Sequence, residues 1–225
     1  NVVNMIVTTK KDFEEIEEAL KGYKNIFLMH CSLCAVTSQT ADEKSVQEMV
    51  EKLKAAGKNV VHVQEFEEPC DYRLNLKELR ESPQEALNNT DAFLILSCGT
   101  GLQAMLDAFN RKKIDKPIFI GLNTHGIAET ERIGRFHVKC AGCGDCLLNY
   151  TGGICPITSC AKGLMNGPCG GQVDGKCEVG NYEKDCGWIL IYERLKKIGR
   201  LDLFEELRPS FDWSDRGRQR SIIFR

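Results

Sequence analysis

Eight cysteines lie between Cys140 and Cys186, opening as Cys140-x-x-Cys143-x-x-Cys146 and continuing through Cys155-Pro156, Cys160, Cys169, Cys177 and Cys186. Thiolates at two-residue spacing curl round one metal centre, and three in succession suit an iron–sulfur cube better than a zinc ion. A cysteine followed by proline is a further mark of cluster-binding loops. Eight thiols make two four-thiolate sites. Cys140, Cys143 and Cys146 are expected to serve one of them together. In two-cluster ferredoxin-like loops the cysteine before proline ligates the other cluster. Cys155 is therefore expected with some of Cys160, Cys169, Cys177 and Cys186, one of which completes the first site; the spacing leaves the pairing open. The rival chemistry is zinc at one or both sites, holding a loop-rich domain together with no redox role.

Four further cysteines occupy the first half: Cys31 and Cys34 in Met29-His30-Cys31-Ser32-Leu33-Cys34, then Cys70, then Cys98. Each follows a short apolar run that reads as a strand. In an open parallel sheet, ligands gather outside the carboxyl ends of the strands. These four thiols are therefore expected at one edge, where they form a candidate third metal centre. Taken alone, Cys98 reads as a small buried residue at a tight turn. Cys98-Gly99-Thr100-Gly101 before a helix resembles a phosphate cradle but lacks the third glycine of a dinucleotide fingerprint. His30, His125 and His137 lie near cysteines but in no metal-ligand spacing. Asp145, Asp174, Glu178, Glu183 and Asp185 read as a solvated surface round the clusters. There is no Ser–His–Asp pattern, no P-loop and no supported carboxylate pair, so no catalytic residue is assigned.

The elements that must position these thiols follow from hydrophobic periodicity. Residues 25–29, 59–63, 91–97 and 116–121 read as strands, with helices over 11–22, 40–57, 74–87 (interrupted at Pro83) and 101–110. Strands separated by helices predict an α/β fold with an open parallel sheet. Residues 125–139 read as a connector with a short helix. From Cys140 to Cys186 apolar periodicity nearly vanishes, and Gly and Cys dominate. Such a segment buries too little to fold without bound metal. A helix is expected over 188–198, with Lys196, Lys197 and Arg200 near its end, where cations suit the helix dipole. The predicted organisation is an α/β domain over 1–135, a cysteine-rich metal-binding domain with a C-terminal helix over 136–205, and a polar tail over 206–225.

Composition narrows the class. The chain has 225 residues, a formal charge of -2 and 12 cysteines. Near-neutral charge argues against a nucleic-acid partner, and no apolar stretch is long enough for a transmembrane segment. Twelve cysteines without a secretion signal predict a reducing, cytoplasmic compartment and metal binding in preference to disulfides.

The run from Cys140 to Trp188 resembles the methylenetetrahydrofolate reductase C-terminal domain family. The matching pieces are Cys140-Ala-Gly-Cys143-Gly-Asp-Cys146, Thr151-Gly-Gly-Ile-Cys155-Pro156, Cys160-Ala-Lys162-Gly-Leu-Met-Asn166-Gly167-Pro168-Cys169-Gly170-Gly171 and Gly175-Lys-Cys177-Glu178-Val. The first half, with Cys31-x-x-Cys34, Glu43-Lys44, Cys70-Asp71 and Ser97-Cys98-Gly99, is similar to the same family. The resemblance is to the MetV-type small iron–sulfur subunits of bacterial methylenetetrahydrofolate reductases. It implies two 4Fe-4S clusters on the eight later cysteines, a third as a candidate on the four earlier ones, and no catalysis by the chain alone. It also implies a partner subunit that carries FMN or FAD, binds the folate and performs the reduction. The donor would be ferredoxin, a nicotinamide-dependent module or a larger electron-bifurcating assembly. One departure is visible: relatives tend to carry Cys-x-x-Cys-x-x-x-Cys in the first half, and the third position here is Ser38. Cys70 or Cys98 then completes the set, or the centre is lost.

Overall fold

The computed structural model describes residues 6–132 and 134–211. The chain divides into two compact units, residues 1–137 and 138–225. The polar tail expected over 206–225 lies outside the described residues from 212 onward.

The first unit runs β1 (Ile6–Lys10), α1 (Phe13–Ala19), β2 (Asn25–Cys31), α2 (Cys34–Thr37), α3 (Glu43–Ala55), β3 (Asn59–Phe66), α4 (Tyr72–Glu81), α5 (Gln84–Asn89), β4 (Ala92–Leu96), α6 (Gly99–Lys112), β5 (Ile118–Ile120) and β6 (Leu122–Arg132). β7 (Arg135–Cys140) follows and leads out of this unit. β2, β3, β4 and β5 form a parallel sheet in the order β3-β2-β4-β5. The α/β reading with a parallel sheet therefore holds, and each expected strand is present.

Side-chain alternation along the central strands builds two separate cores. Ile26 and Leu28 of β2 and Leu94 and Leu96 of β4 pack with Ile16 and Leu20 from the α1 region and with Met49, Val50 and Leu53 of α3. The intervening residues, Phe27, Met29, Phe93 and Ile95, face the other way, onto Leu79 of α4 and Met105 and Phe109 of α6. Every residue of β4 is buried, as a strand covered by helices on both faces requires. Each such Leu or Phe side chain contributes about 1.5–3 kcal/mol by leaving water, so the two layers fix the register firmly. A slip of one residue would exchange them wholesale.

The chain leaves β2 for β3 on one side, then returns past β2 to β4 on the other. The order thus reverses between β2 and β4, and a crevice opens there beyond the strand ends. α3 begins where the Asp42 carboxylate accepts the Ser45 amide at 3.3 Å, a cap that satisfies one orphan donor. Pro83 separates α4 from α5, as the sequence indicates.

The expected connector over 125–139 is instead β-structure. β6 spans eleven residues and pairs antiparallel with β1, and β7 completes a second sheet in the order β1-β6-β7. The strand signal was hidden because most of β6 is exposed. Backbone pairing holds it, and little apolar burial marks it. β1 (Ile-Val-Thr-Thr-Lys) is rich in β-branched residues, which suit a pleated surface.

The second unit has little regular structure. A 3₁₀ turn (Leu148–Tyr150) and the short helices α7 (Pro156–Ser159), α8 (Gly187–Lys197) and α9 (Asp202–Glu205) surround a small core of Cys186, Trp188, Ile191 and Leu195. The Trp188 indole N–H donates to the Leu164 carbonyl at 3.0 Å, and the Phe204 ring meets Trp188 edge-on at 5.8 Å. The segment after α9 returns across this unit. Asn166 exchanges two hydrogen bonds with the backbone of Arg208, at 2.9 and 2.8 Å. The Arg208 guanidinium lies over the Tyr150 ring. Among the described residues, no helix is long and apolar enough to cross a membrane.

Candidate functional site: a thiol pocket and a cysteine-rich unit

Cys31 is the last residue of β2, and Cys34 the first of α2. Cys98 caps the start of α6 just beyond β4, and Cys70 lies in the loop between β3 and α4. All four line one cavity of about 300 Å³ in the first unit. The topology explains the convergence, since β2 and β4 flank the crevice and β3 adjoins β2. The cavity wall is mainly apolar, with Ile6 and Thr8 from β1, Ile127 from β6, and Leu33 and Pro69 from the loops. The second sheet thus closes a pocket that the parallel sheet opens. Gly101, in the first turn of α6, is required by the close approach. A Cβ there would meet the Ser97 hydroxyl at 2.7 Å and Pro69 at 3.2 Å.

Ser38, four residues beyond Cys34, does not line this cavity. Its hydroxyl accepts the Thr8 amide and donates to the Ile6 carbonyl, each at 3.3 Å, and so ties α2 to β1. Cys70 and Cys98 supply the remaining thiols at the pocket.

Burial dominates the electrostatics. It pushes the Cys31 and Cys34 thiols up from their ordinary range, with Cys98 adding to both. Cys70 is pushed up to about 12 by burial of its thiol and by the Glu68 carboxylate, whose Oε1 stands 3.8 Å from Sγ. Such thiols hold their protons in a metal-free chain, and a bound cation would release them. The native chain keeps a proton that the unfolded chain loses, so the stability from this group is complete below pH 9 and declines as pH climbs toward 12. Urea midpoints of metal-free protein at about pH 8 and about pH 10.5 check this. The wild-type chain is expected to lose more over that interval than Cys70→Ala.

Asp71, beside Cys70, caps α4 by accepting the Arg73 and Leu74 amides at 2.8 and 3.4 Å. The Arg73 guanidinium holds its carboxyl down at about 2. Asp71→Ala is expected to cost about 1 kcal/mol, read as a shifted urea midpoint. The capping contribution is full above pH 3.8 and is lost as pH falls toward 2.

The other eight cysteines lie in the second unit, from Cys140 to Cys186. Cys186 is buried, Cys143, Cys155, Cys160 and Cys177 are half-buried, and Cys140, Cys146 and Cys169 are exposed. Two local bonds mark the first loop: the Gly142 amide donates to Cys140 Sγ at 3.4 Å, and Cys143 Sγ lies 3.6 Å from the Asp145 carbonyl. Lys162 Nζ stands 3.5 Å from Cys169 Sγ and pairs with Glu178. Glu178, read from sequence as solvated, is therefore engaged beside a candidate ligand. The spacing Lys162-x₆-Cys169 carried no signal for this contact, which depends on the fold of two loops.

Two of the weaker candidates are occupied elsewhere. His125 hydrogen-bonds Thr9 at 2.9 Å and His137 pairs with Glu131 at 2.8 Å. His30 Nδ1 is buried without a hydrogen-bond partner among the described residues, and burial lowers its pKa. No disulfide links the cysteines. Among the described residues, no three His, Cys, Asp or Glu side chains stand close enough to grip a single metal ion.

Residues 119–214 match the family described as methylene-tetrahydrofolate reductase C terminal, which relates this part of the chain to those reductases. No curated protein matches the chain. Among solved structures, the extracellular ligand-binding receptor from Verminephrobacter eiseniae aligns with 48% of this chain at 19% identity and a TM-score of 0.36. The aligned part spans 28% of the receptor's length.

Proposed function

We propose that this chain is an electron-transfer subunit of a methylenetetrahydrofolate reductase complex, holding iron–sulfur clusters on its cysteines and exchanging electrons with a flavin on a separate subunit. The observation that carries the reading is the disposition of thiols. Four meet round one cavity in the first unit, and eight crowd one stretch of the second. The match over residues 119–214 supplies the metabolic setting.

The residues fit such a group. A single zinc ion bound by thiolates at about 2.3 Å draws its four sulfurs to roughly 3.8 Å of one another. The pocket thiols instead line a cavity of about 300 Å³, with room for an inorganic core between them. Its apolar wall suits a centre whose charge is balanced by its own ligands. Bound there, an iron–sulfur cluster would accept and release one electron at a time.

The chain's own groups set the conditions. The amides of Leu33 and Gly142 point at Cys31 Sγ and Cys140 Sγ, at 3.5 and 3.4 Å. Donors at this place stabilise negative charge on sulfur and favour the reduced state. The Glu68 carboxylate beside Cys70 opposes added negative charge. Lys162 beside Cys169 favours it. Ile6, Leu33 and Ile127 make the pocket wall apolar. In this reading the flavin-bearing partner binds the folate and performs its reduction. Ferredoxin, or a nicotinamide-dependent or bifurcating module, would supply the electrons.

Metal analysis of anaerobically purified protein tests this. The expected result is iron with equal acid-labile sulfide, and broad visible absorption that dithionite bleaches. Full zinc occupancy with no iron would replace the electron carrier by a structural adaptor of the same complex.

A further inference from the structure

The eight later cysteines divide by position, and the division names the partners, placing Cys155 with the Cys140–Cys146 loop where the cysteine-before-proline spacing placed it with the other centre. We infer that Cys140, Cys143, Cys146 and Cys155 hold one centre, and Cys160, Cys169, Cys177 and Cys186 the other. The inference rests on the metal-binding reading of this unit and goes beyond it by naming the partners.

The dividing element is α7, a single helical turn with Cys155 at its entrance and Cys160 at its exit. Cys155 is the extended residue that caps this turn, just outside the helix itself. The Thr158 hydroxyl donates to the Lys139 carbonyl at 3.0 Å, so the turn is tied to the residue before Cys140. The turn is fixed internally by Ser159, whose amide and hydroxyl both donate to the Cys155 carbonyl. Cys155 thus belongs with the Cys140–Cys146 loop, although it is nearer in sequence to Cys160.

Cys160 faces away. The Ser159–Cys160 link packs against Gly187, where an added Cβ would meet the Ser159 backbone and side chain at 2.7 Å. Only glycine allows this approach, and it sets the residue after Cys186 against the residue before Cys160. Cys160 accordingly packs into the apolar cluster that contains Cys186 and Trp188, a cluster in which Cys155 takes no part. Cys177 reaches the same place through backbone pairing. The Cys177 amide donates to the Lys184 carbonyl at 2.8 Å, Lys176 bridges to Asp185, and the Cys186 amide donates to Gly175 at 2.7 Å. Cys169 is drawn in by Lys162 and Glu178, the neighbours of Cys160 and Cys177, which pair with each other beside its sulfur.

Both sets have exposed members, Cys140 and Cys146 in the first and Cys169 in the second, and the second also includes buried Cys186, which belongs to the unit's core. That contact with the core suits the second set to hold the fold.

Metal content of paired variants in the full chain tests the assignment. Cys143→Ala, Cys155→Ala and the double variant Cys143→Ala/Cys155→Ala are each expected to lose the metal of one and the same centre. Cys155→Ala/Cys177→Ala is expected to lose two centres. Native-state alkylation with N-ethylmaleimide gives a second readout if a double variant fails to fold. In Cys143→Ala, Cys140, Cys146 and Cys155 become labelled, while Cys160, Cys169, Cys177 and Cys186 stay protected. A metal-loaded chain in which Cys155→Ala and Cys177→Ala share a single loss, or in which Cys155 stays protected in Cys143→Ala, overturns the pairing alone. A chain that takes up neither iron nor zinc overturns the pairing together with the reading beneath it.

Discussion

Cys143→Ala is expected to abolish donor-driven reduction of the partner flavin while leaving dye-driven reduction on the flavin subunit intact. Cys143 is the middle thiol of the Cys140–Cys146 run, half-buried, with its sulfur 3.6 Å from the Asp145 carbonyl. Alanine removes a thiolate that no neighbouring side chain replaces in the run Ala-Gly-Cys-Gly-Asp. Disturbing mere outer-shell groups of a metal site costs about 10–100-fold, so loss of a ligand should lower the transfer rate by at least about 100-fold. The dye bypasses the chain and reports the flavin subunit alone. Stopped-flow reduction with the physiological donor, run beside the dye assay, separates the two. If both rates survive, Cys143 is not a necessary ligand.

Stripping the metal is expected to unfold the cysteine-rich unit and spare the α/β unit. Among the described residues, the second unit's core cluster is Cys186, Trp188, Ile191 and Leu195, against two full layers in the first. Ordering a residue costs about 1–2 kcal/mol in backbone entropy, and so small a core cannot offset this over the long loops from Cys140 to Cys186. Metal–thiolate bonding supplies on the order of 10 kcal/mol or more in small structural sites. Chelation should therefore shift Trp188 emission to the red as its indole leaves the Leu164 carbonyl and the Phe204 ring. Proteolysis should open residues 140–186 first, with β2 to β5 still protected. A metal-free second unit that kept its Trp188 environment would show that its loops fold on hydrogen bonds alone.

The legible part of the molecule was the part governed by burial. Phe93, Leu94, Ile95 and Leu96 announce a strand covered on both faces, and Val46, Met49, Val50 and Leu53 announce the helix beside it. Once the sheet is parallel, the rule for strand ends brings Cys31, Cys34, Cys70 and Cys98 together without further information. What closes the pocket was not legible. Ile6, Thr8 and Ile127 stand on strands whose exposed residues lack apolar alternation, and β6 exists through its pairing with β1. The role of Ser38 was likewise hidden, because a hydroxyl that binds a strand backbone looks in sequence like a lost ligand. In the second unit the spacing of cysteines indicates a metal, but Gly187 against Ser159 and Thr158 against Lys139 are contacts between separate short elements. No periodicity encodes them.

The central claim is that this chain carries electrons to a flavin. The most direct measurement is anaerobic mixing of the dithionite-reduced chain, freed of excess reductant, with the oxidised flavin subunit. The account predicts that the chain's visible absorption returns as the flavin bleaches, electron for electron, and that Cys143→Ala slows this by at least about 100-fold. A chain that cannot be reduced, or one that stays reduced beside an oxidised flavin in a formed complex, would contradict it.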